Sequence, residues 1–164
     1  MTARKRITLG IWFVVSLFLD TAVLPRWNAF GLVPFVMLAL SLSVTAMFSL
    51  QSGLVIGALG GLMEDLLCES MVGLTPALCL LAAAALHRVL MENQPKPLLL
   101  FLLFTALAFL VELLLASLSW LIGMRFAFGA AMVYGALPRA ILTGLWTMAF
   151  LWLFKRVRKG QVDR

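Results

Sequence analysis

Six apolar runs follow one another along this chain with only short polar breaks between them. They cover residues 7–24, 30–50, 53–67, 74–90, 98–122 and 128–154. Most approach the roughly 20 residues that carry a helix across a bilayer. A chain built this way has few options. In hydrocarbon every backbone N–H and C=O must be satisfied within the segment, which a helix does and an open sheet edge does not. The expected fold is therefore all-α, a single polytopic transmembrane domain over residues 1–164 with about six helices in one bundle. The breaks hold the expected punctuation: Pro25, Gln51-Ser52-Gly53, Glu69 to Gly73, Asn93-Gln94-Pro95-Lys96-Pro97 and Gly123 to Gly129. A soluble alternative fails on composition. Of 164 residues 63% are hydrophobic and 12% charged, whereas soluble domains carry roughly 25% charge, and one small domain cannot hide so much apolar surface.

Charge placement sets the expected orientation. Arg4, Lys5, Arg6, Arg88, Lys96, Lys155, Arg156, Arg158, Lys159 and Arg164 all fall on one side of a six-span topology, against Arg26 and Arg125 on the other. Positive flanks remain cytoplasmic, so both termini are expected on the cytoplasmic side of the membrane. The same placement explains the net charge of +6 by lipid contact, not by nucleic acid, since no interleaved aromatic platform accompanies the bases. The basic start and first apolar run look like a signal peptide but lack a small-x-small cleavage site, so they are expected to stay as a first helix. Trp12, Trp27, Trp120 and Trp152 lie near span ends, as interfacial aromatics do. The third run is short and ends in acids, which keeps a five-span layout or a half-inserted hairpin open.

That third run carries the densest pattern. Gly53, Gly57, Gly60 and Gly61 share one helical face, and Asp65 lies four residues beyond Gly61. Glycine along a face lets a second helix approach closely within lipid. Asp20, Asp65 and Glu112 fall about 18–21 Å from the cytoplasmic face, and Arg139 about 14 Å from it, at 1.5 Å per helical residue. This charged layer admits three readings: an internal salt bridge such as Glu112 with Arg139 that fixes packing, an acid-lined ligand cavity, or side chains reaching the surface. Pro138 beside Arg139 is expected to bend the last span. Glu64 and Glu69 are expected in the outer headgroup region, and a water-exposed helix end is an alternative for Asp65.

Catalysis finds no support in the residues. There is no Ser/His/acid order, no metal-ligand spacing and no phosphate-cradling loop, because the glycines lie inside an apolar span. Cys68, Cys79 and the lone His87 make neither a metal set nor a disulfide framework. The two cysteines read as small apolar residues, and His87 beside Arg88 reads as interfacial. No catalytic residue, metal or cofactor is expected.

The order of features resembles the bacterial rod shape-determining MreD family. The likeness is carried by Val33-Pro34-Phe35 opening the second run, then Gly53, Gly57, Gly60 or Gly61, Leu62, Asp65-Leu66-Leu67, and Gly73 before the next span. It covers the whole chain in layout and residues 33–73 in particular. In the family that proline is commonly followed by aspartate; Phe35 stands here, so no role is carried to that position. The resemblance implies a non-catalytic subunit of the elongasome. Such a protein binds MreC and, through it, the MreB cytoskeleton, the RodA glycosyltransferase and a class B penicillin-binding protein, in support of lateral peptidoglycan synthesis. The family's fold is also similar to the substrate-binding subunits of energy-coupling factor vitamin transporters, which makes such a subunit the alternative. Those subunits converge polar and aromatic side chains in outer loops, where this chain offers little beyond Arg26, Trp27, Asn28, Glu69 and Arg125. They also dock through an Ala-x-x-x-Ala face on the first span, which here contains only Ala22. A scaffold is expected to offer a glycine- and leucine-rich helix face to a partner span, and the third run supplies one.

Overall fold

Long runs of Leu, Ala, Phe and Met lose little side-chain freedom in a helix, and the breaks decide where each helix starts and stops. The computed structural model describes residues 3–24, 26, 33–67, 73–92, 96–123, 129 and 131–159. Within these the chain forms six α-helices: α1 (Ala3–Phe18), α2 (Val36–Met47), α3 (Leu50–Leu67), α4 (Leu74–Glu92), α5 (Pro97–Leu121) and α6 (Leu137–Lys159). A π-helical turn, Leu19–Val23, continues α1, and a second, Ala131–Ala136, leads into α6. The expectations placed on Trp27, Asn28, Cys68, Glu69, Arg125 and Arg164 lie outside the described residues.

Helix α5 shows how local chemistry sets the bounds. It opens on Pro97, where a missing N–H would be unpaired in any case. It gives way at Gly123, whose φ of 99° is a left-handed conformation that glycine adopts without steric cost. Four stretches are long and apolar enough to cross a membrane: Leu50–Leu67, Leu74–Met91, Pro97–Leu121 and Met132–Arg156. The widened turn before α6 sits just ahead of Pro138, which has no N–H to give to the carbonyl four residues back.

The second run departs from expectation. A span over residues 30–50 is replaced by the 12-residue α2, about 18 Å long and shorter than the roughly 30 Å hydrocarbon layer. Residues 33–35 are not helical, because Pro34 donates no N–H and disfavours helix at Val33. Every position from Val36 to Thr45 is buried. A helix hidden all round must satisfy its own polar side chains. Ser41 donates to the Gly53 carbonyl at 2.9 Å, Thr45 to the Ser41 carbonyl at 2.9 Å, and Ser43 shares its proton between Ala39 (2.6 Å) and Thr147 (3.1 Å). A tight connection through Phe48 and Ser49 then leads into α3, where the Ser49 hydroxyl accepts the N–H of Ser52 at 3.3 Å and caps the new helix.

Helices α3, α4 and α6 surround α2, with α5 packed on α4 and α6, while α1 lies against α2 and touches α3 lightly. On one side of α2 the core holds Leu38, Leu42, Leu78, Leu86, Phe104 and Ala108. On the other it holds Leu40, Val44, Ile56, Phe150 and Phe154. Trp12 packs against the second group, its ring meeting Phe150 and Phe154 edge-on at 6.1 and 6.2 Å. Trp120 and Trp152 are exposed, the latter with the Arg156 guanidinium 5.2 Å from its ring centre.

Successive helices alternate in direction, so the start of α1, the α2–α3 turn, the α4–α5 junction and the end of α6 gather at one end. Phe48 against Phe154 at 5.7 Å joins two of these directly, and Met47, Leu90, Leu100 and Leu151 share one core there. Arg88, Lys96, Lys155 and Arg156 are exposed at this basic end.

Candidate functional site

An anion placed at a helix N-terminus meets unpaired N–H groups and the positive end of the helix dipole. The structure uses this twice. The π-helical turn of α1 places Asp20 beside the start of α2, where its carboxylate accepts the N–H groups of Val36 (3.3 Å) and Met37 (2.9 Å). Asp65, at the end of α3 and 1% exposed, accepts Gly73 N–H at 2.8 Å and Thr75 N–H at 3.3 Å, the opening donors of α4. Gly73 itself takes a φ of 100°, a conformation that suits glycine.

Helix α6 completes the start of α2. The Thr143 hydroxyl accepts Phe35 N–H at 3.0 Å, so three successive amides at the opening of α2 end on side chains of α1 and α6. One turn earlier, Arg139 donates from Nε to the Val33 carbonyl at 2.9 Å and from Nη1 to Glu112 of α5 at 3.5 Å. Asp20, Glu112 and Arg139 thus come together around residues 33–37, and Asp65 tethers the next helix start. Each contact joins two elements: α1 to α2, α3 to α4, α5 to α6, and α6 to the entry of α2.

Glu64 corrects an expectation. Rather than lying among headgroups, its Oε2 is buried without a hydrogen-bond partner, and the side chain sits within electrostatic reach of Asp20, Arg139, Asp65 and Glu112. A water-exposed helix end is likewise not the setting of Asp65. Thr143 and Thr147 were not singled out from the sequence, although Arg139, Thr143 and Thr147 repeat every four residues and form a polar stripe on an apolar helix. That stripe was the available signal.

The glycines explain how α2, α3 and α4 approach so closely. A Cβ at Gly53 would collide with Thr45 Oγ1, and one at Gly57 would stand 2.7 Å from Ser41 Oγ. At Gly60 it would lie 3.1 Å from Met37 Sδ, and at Gly61 2.6 Å from the backbone nitrogen of Pro76. The glycine face is therefore turned inward onto α2 and α4. A glycine-rich surface offered to a partner span is not what α3 presents; its outward face is Val55, Leu59, Leu62, Met63 and Leu66, all exposed. Cys79 is fully buried among these helices. Among the described residues, no group of three His, Cys, Asp or Glu side chains is placed to hold a metal ion.

The Glu112–Arg139 contact is long, and the Arg139 side chain is 39% exposed against 13% for Glu112. Replacing Glu112 with Gln is therefore expected to cost about 1 kcal/mol or less. Arg139→Met also strips a donor from the Val33 carbonyl and should cost about 2 kcal/mol. Exchanging the two charges should not restore stability, since a glutamate at 139 cannot donate to that carbonyl. Thermal unfolding of the three variants in mild detergent checks this, and full rescue by the exchange would show that the ion pair alone matters.

Fold and site together define a class: a helical bundle with four helices long and apolar enough to cross a membrane, its elements tied together by charged side chains. No family model, curated protein or solved structure matches the chain.

Proposed function

We propose that this protein is a non-catalytic membrane scaffold that works by helix–helix association, as the resemblance to the MreD family implies. One observation supports this above others. The carboxylates of Asp20 and Asp65 are engaged by backbone amides and Glu112 by Arg139, so the charged layer holds the helices in register. Partner binding then falls to the apolar exterior, where α3 and the sparsely covered α5 expose leucines. In this reading the six-helix bundle sits in the cell membrane in the manner of a vitamin-transporter substrate subunit, with α2 enclosed by its neighbours and both termini and the basic end in the cytoplasm. The protein binds an MreC-like partner and, through it, MreB, RodA and a class B penicillin-binding protein, in support of rod shape and lateral peptidoglycan synthesis. The vitamin-transporter alternative calls for a polar cavity near the outer face, whereas a groove between α1 and α3 is lined by Leu9, Gly10, Phe13, Val55, Ile56 and Leu59, with Gln51 and Ser52 as its polar residues.

Purification of the tagged protein in mild detergent tests the proposal. An MreC-like protein is expected to co-purify; an ATPase pair with a transmembrane coupling subunit would replace the scaffold with the transporter. Accessibility of a tag at each terminus checks the orientation, with neither expected to react from outside the cell.

A further inference from the structure

Four acids gather toward the end of the bundle opposite the basic one, and three of them have what a charged carboxylate needs. Asp20 accepts two amides, Asp65 accepts two more, and Glu112 meets Arg139. Glu64 is the fourth. Its Oε2 is buried and, among the described residues, has no hydrogen-bond partner. One turn earlier on α3 stands Gly60, where a Cβ would lie 3.1 Å from Met37 Sδ. Glu64 thus continues α3 toward the start of α2, where the amides of Phe35, Val36 and Met37 already belong to Thr143 and Asp20. Helix α1 offers no donor in their place. Helices α1 and α3 run side by side from the basic end, with Leu9 and Phe13 along the same groove as Ser52 and Ile56. The same register brings Ser16 level with Gly60, and Asp20 level with Glu64. Ser16 is itself fully buried, and among the described residues its Oγ has no partner either.

The titratable groups that act on Glu64 come from every element around it. They are Asp20 from α1, Asp65 beside it on α3, Cys79 from α4, Glu112 from α5 and Arg139 from α6; α2 has no titratable side chain. Arg139 is the one cation in this set, and it is already engaged by Glu112 and the Val33 carbonyl. An anion enclosed beside like charges with no donor must lose either its charge or its enclosure. A metal ion would need several ligands converging on one point, and among the described residues no group of three His, Cys, Asp or Glu side chains does so. A proton needs one oxygen. We propose that Glu64 carries a proton in the folded bundle and that its release, to water or hydroxide at that end, opens the seam between α1 and α3, making the protein sensitive to pH. The inference stands apart from the scaffold reading, because it concerns an interior group and needs no partner.

Thermal unfolding of the full chain in mild detergent, from about pH 5 to about pH 9, tests it. Glu64→Gln keeps the shape of the side chain and removes the group that titrates. The folded wild type holds a proton that the unfolded chain has lost above the ordinary glutamate range, so its stability should fall as pH rises. The melting temperature of Glu64→Gln should climb above wild type, the gap widening by about 3–5 °C per pH unit until the folded protein itself releases the proton. Glu64→Met provides a second neutral variant should the glutamine not fold. At neutral pH the infrared spectrum of the wild type should contain a protonated-carboxyl band that both variants lack. Above the pH at which that band disappears, amide exchange around Ser16 and Gly60 should run faster in wild type than in Glu64→Gln. Parallel melting profiles, or a band that survives in both variants, overturn the proton; equal exchange once the band has gone overturns the opening.

Discussion

Asp20→Ala is expected to be the most damaging single truncation of a charged side chain in this protein. The carboxylate is the acceptor for two consecutive amides at the start of α2, Val36 and Met37, and that helix is buried from its first residue. Hydrogen bonds to a charged acceptor are worth about 1.5–3 kcal/mol each, so removing both should cost about 3–5 kcal/mol, a large share of an ordinary folding stability. Asp20→Asn retains one acceptor oxygen and should fall between alanine and wild type. Asp65→Ala should cost less at its Gly73 amide, because that N–H belongs to an exposed residue. Thermal unfolding of detergent-solubilised protein, read beside expression level, gives the order. A melting temperature for Asp20→Ala equal to wild type would mean that the start of α2 is held by something other than this carboxylate.

The second large effect is steric. Gly61→Ala should cost about 3 kcal/mol, since its Cβ would stand 2.6 Å from Pro76 N, 2.7 Å from Pro76 Cα and 3.0 Å from Thr75 C. Those are backbone atoms, and moving them would also disturb the Thr75 amide that Asp65 accepts. Gly57→Ala meets a side-chain hydroxyl at 2.7 Å and should cost about 1–2 kcal/mol, because Ser41 can turn away only by releasing the Gly53 carbonyl. Gly10→Ala meets nothing and should be neutral or stabilising by up to about 1 kcal/mol. The same melting assay separates the three. Equal destabilisation at Gly61 and Gly10 would show that helix propensity, not close approach, sets the cost.

Much of the helical layout was legible because hydropathy and helix breakers act locally. The expected spans over 53–67, 74–90 and 98–122 differ from α3, α4 and α5 by at most three residues at either end. Pro97, Gly123 and the Ser49 cap explain most of those bounds from adjacent chemistry. Asp20, Asp65, Glu112 and Arg139 were legible as costly residues, since any charge within an apolar run demands a partner. Their partners were not legible. Asp20 reaches amides 16 and 17 residues away, and Arg139 a carbonyl 106 residues away, and periodicity says nothing about groups so remote. Trp12 shows the same limit. Its place near a span end gives no sign that its ring meets Phe150 and Phe154 of α6, about 140 residues away, edge-on.

By itself the sequence determined the class: a helical chain whose composition demands lipid, with a glycine face on its third run and acids too expensive to lie idle. Each of these follows from the side chain and its near neighbours. Tertiary structure decided which way that face turns, how short and how buried α2 is, and that Glu64 lies inside. It also decided that the acids cap helices. The reason is physical: a carboxylate is satisfied by whichever donors the packing brings within about 3 Å, and packing is a property of the whole bundle.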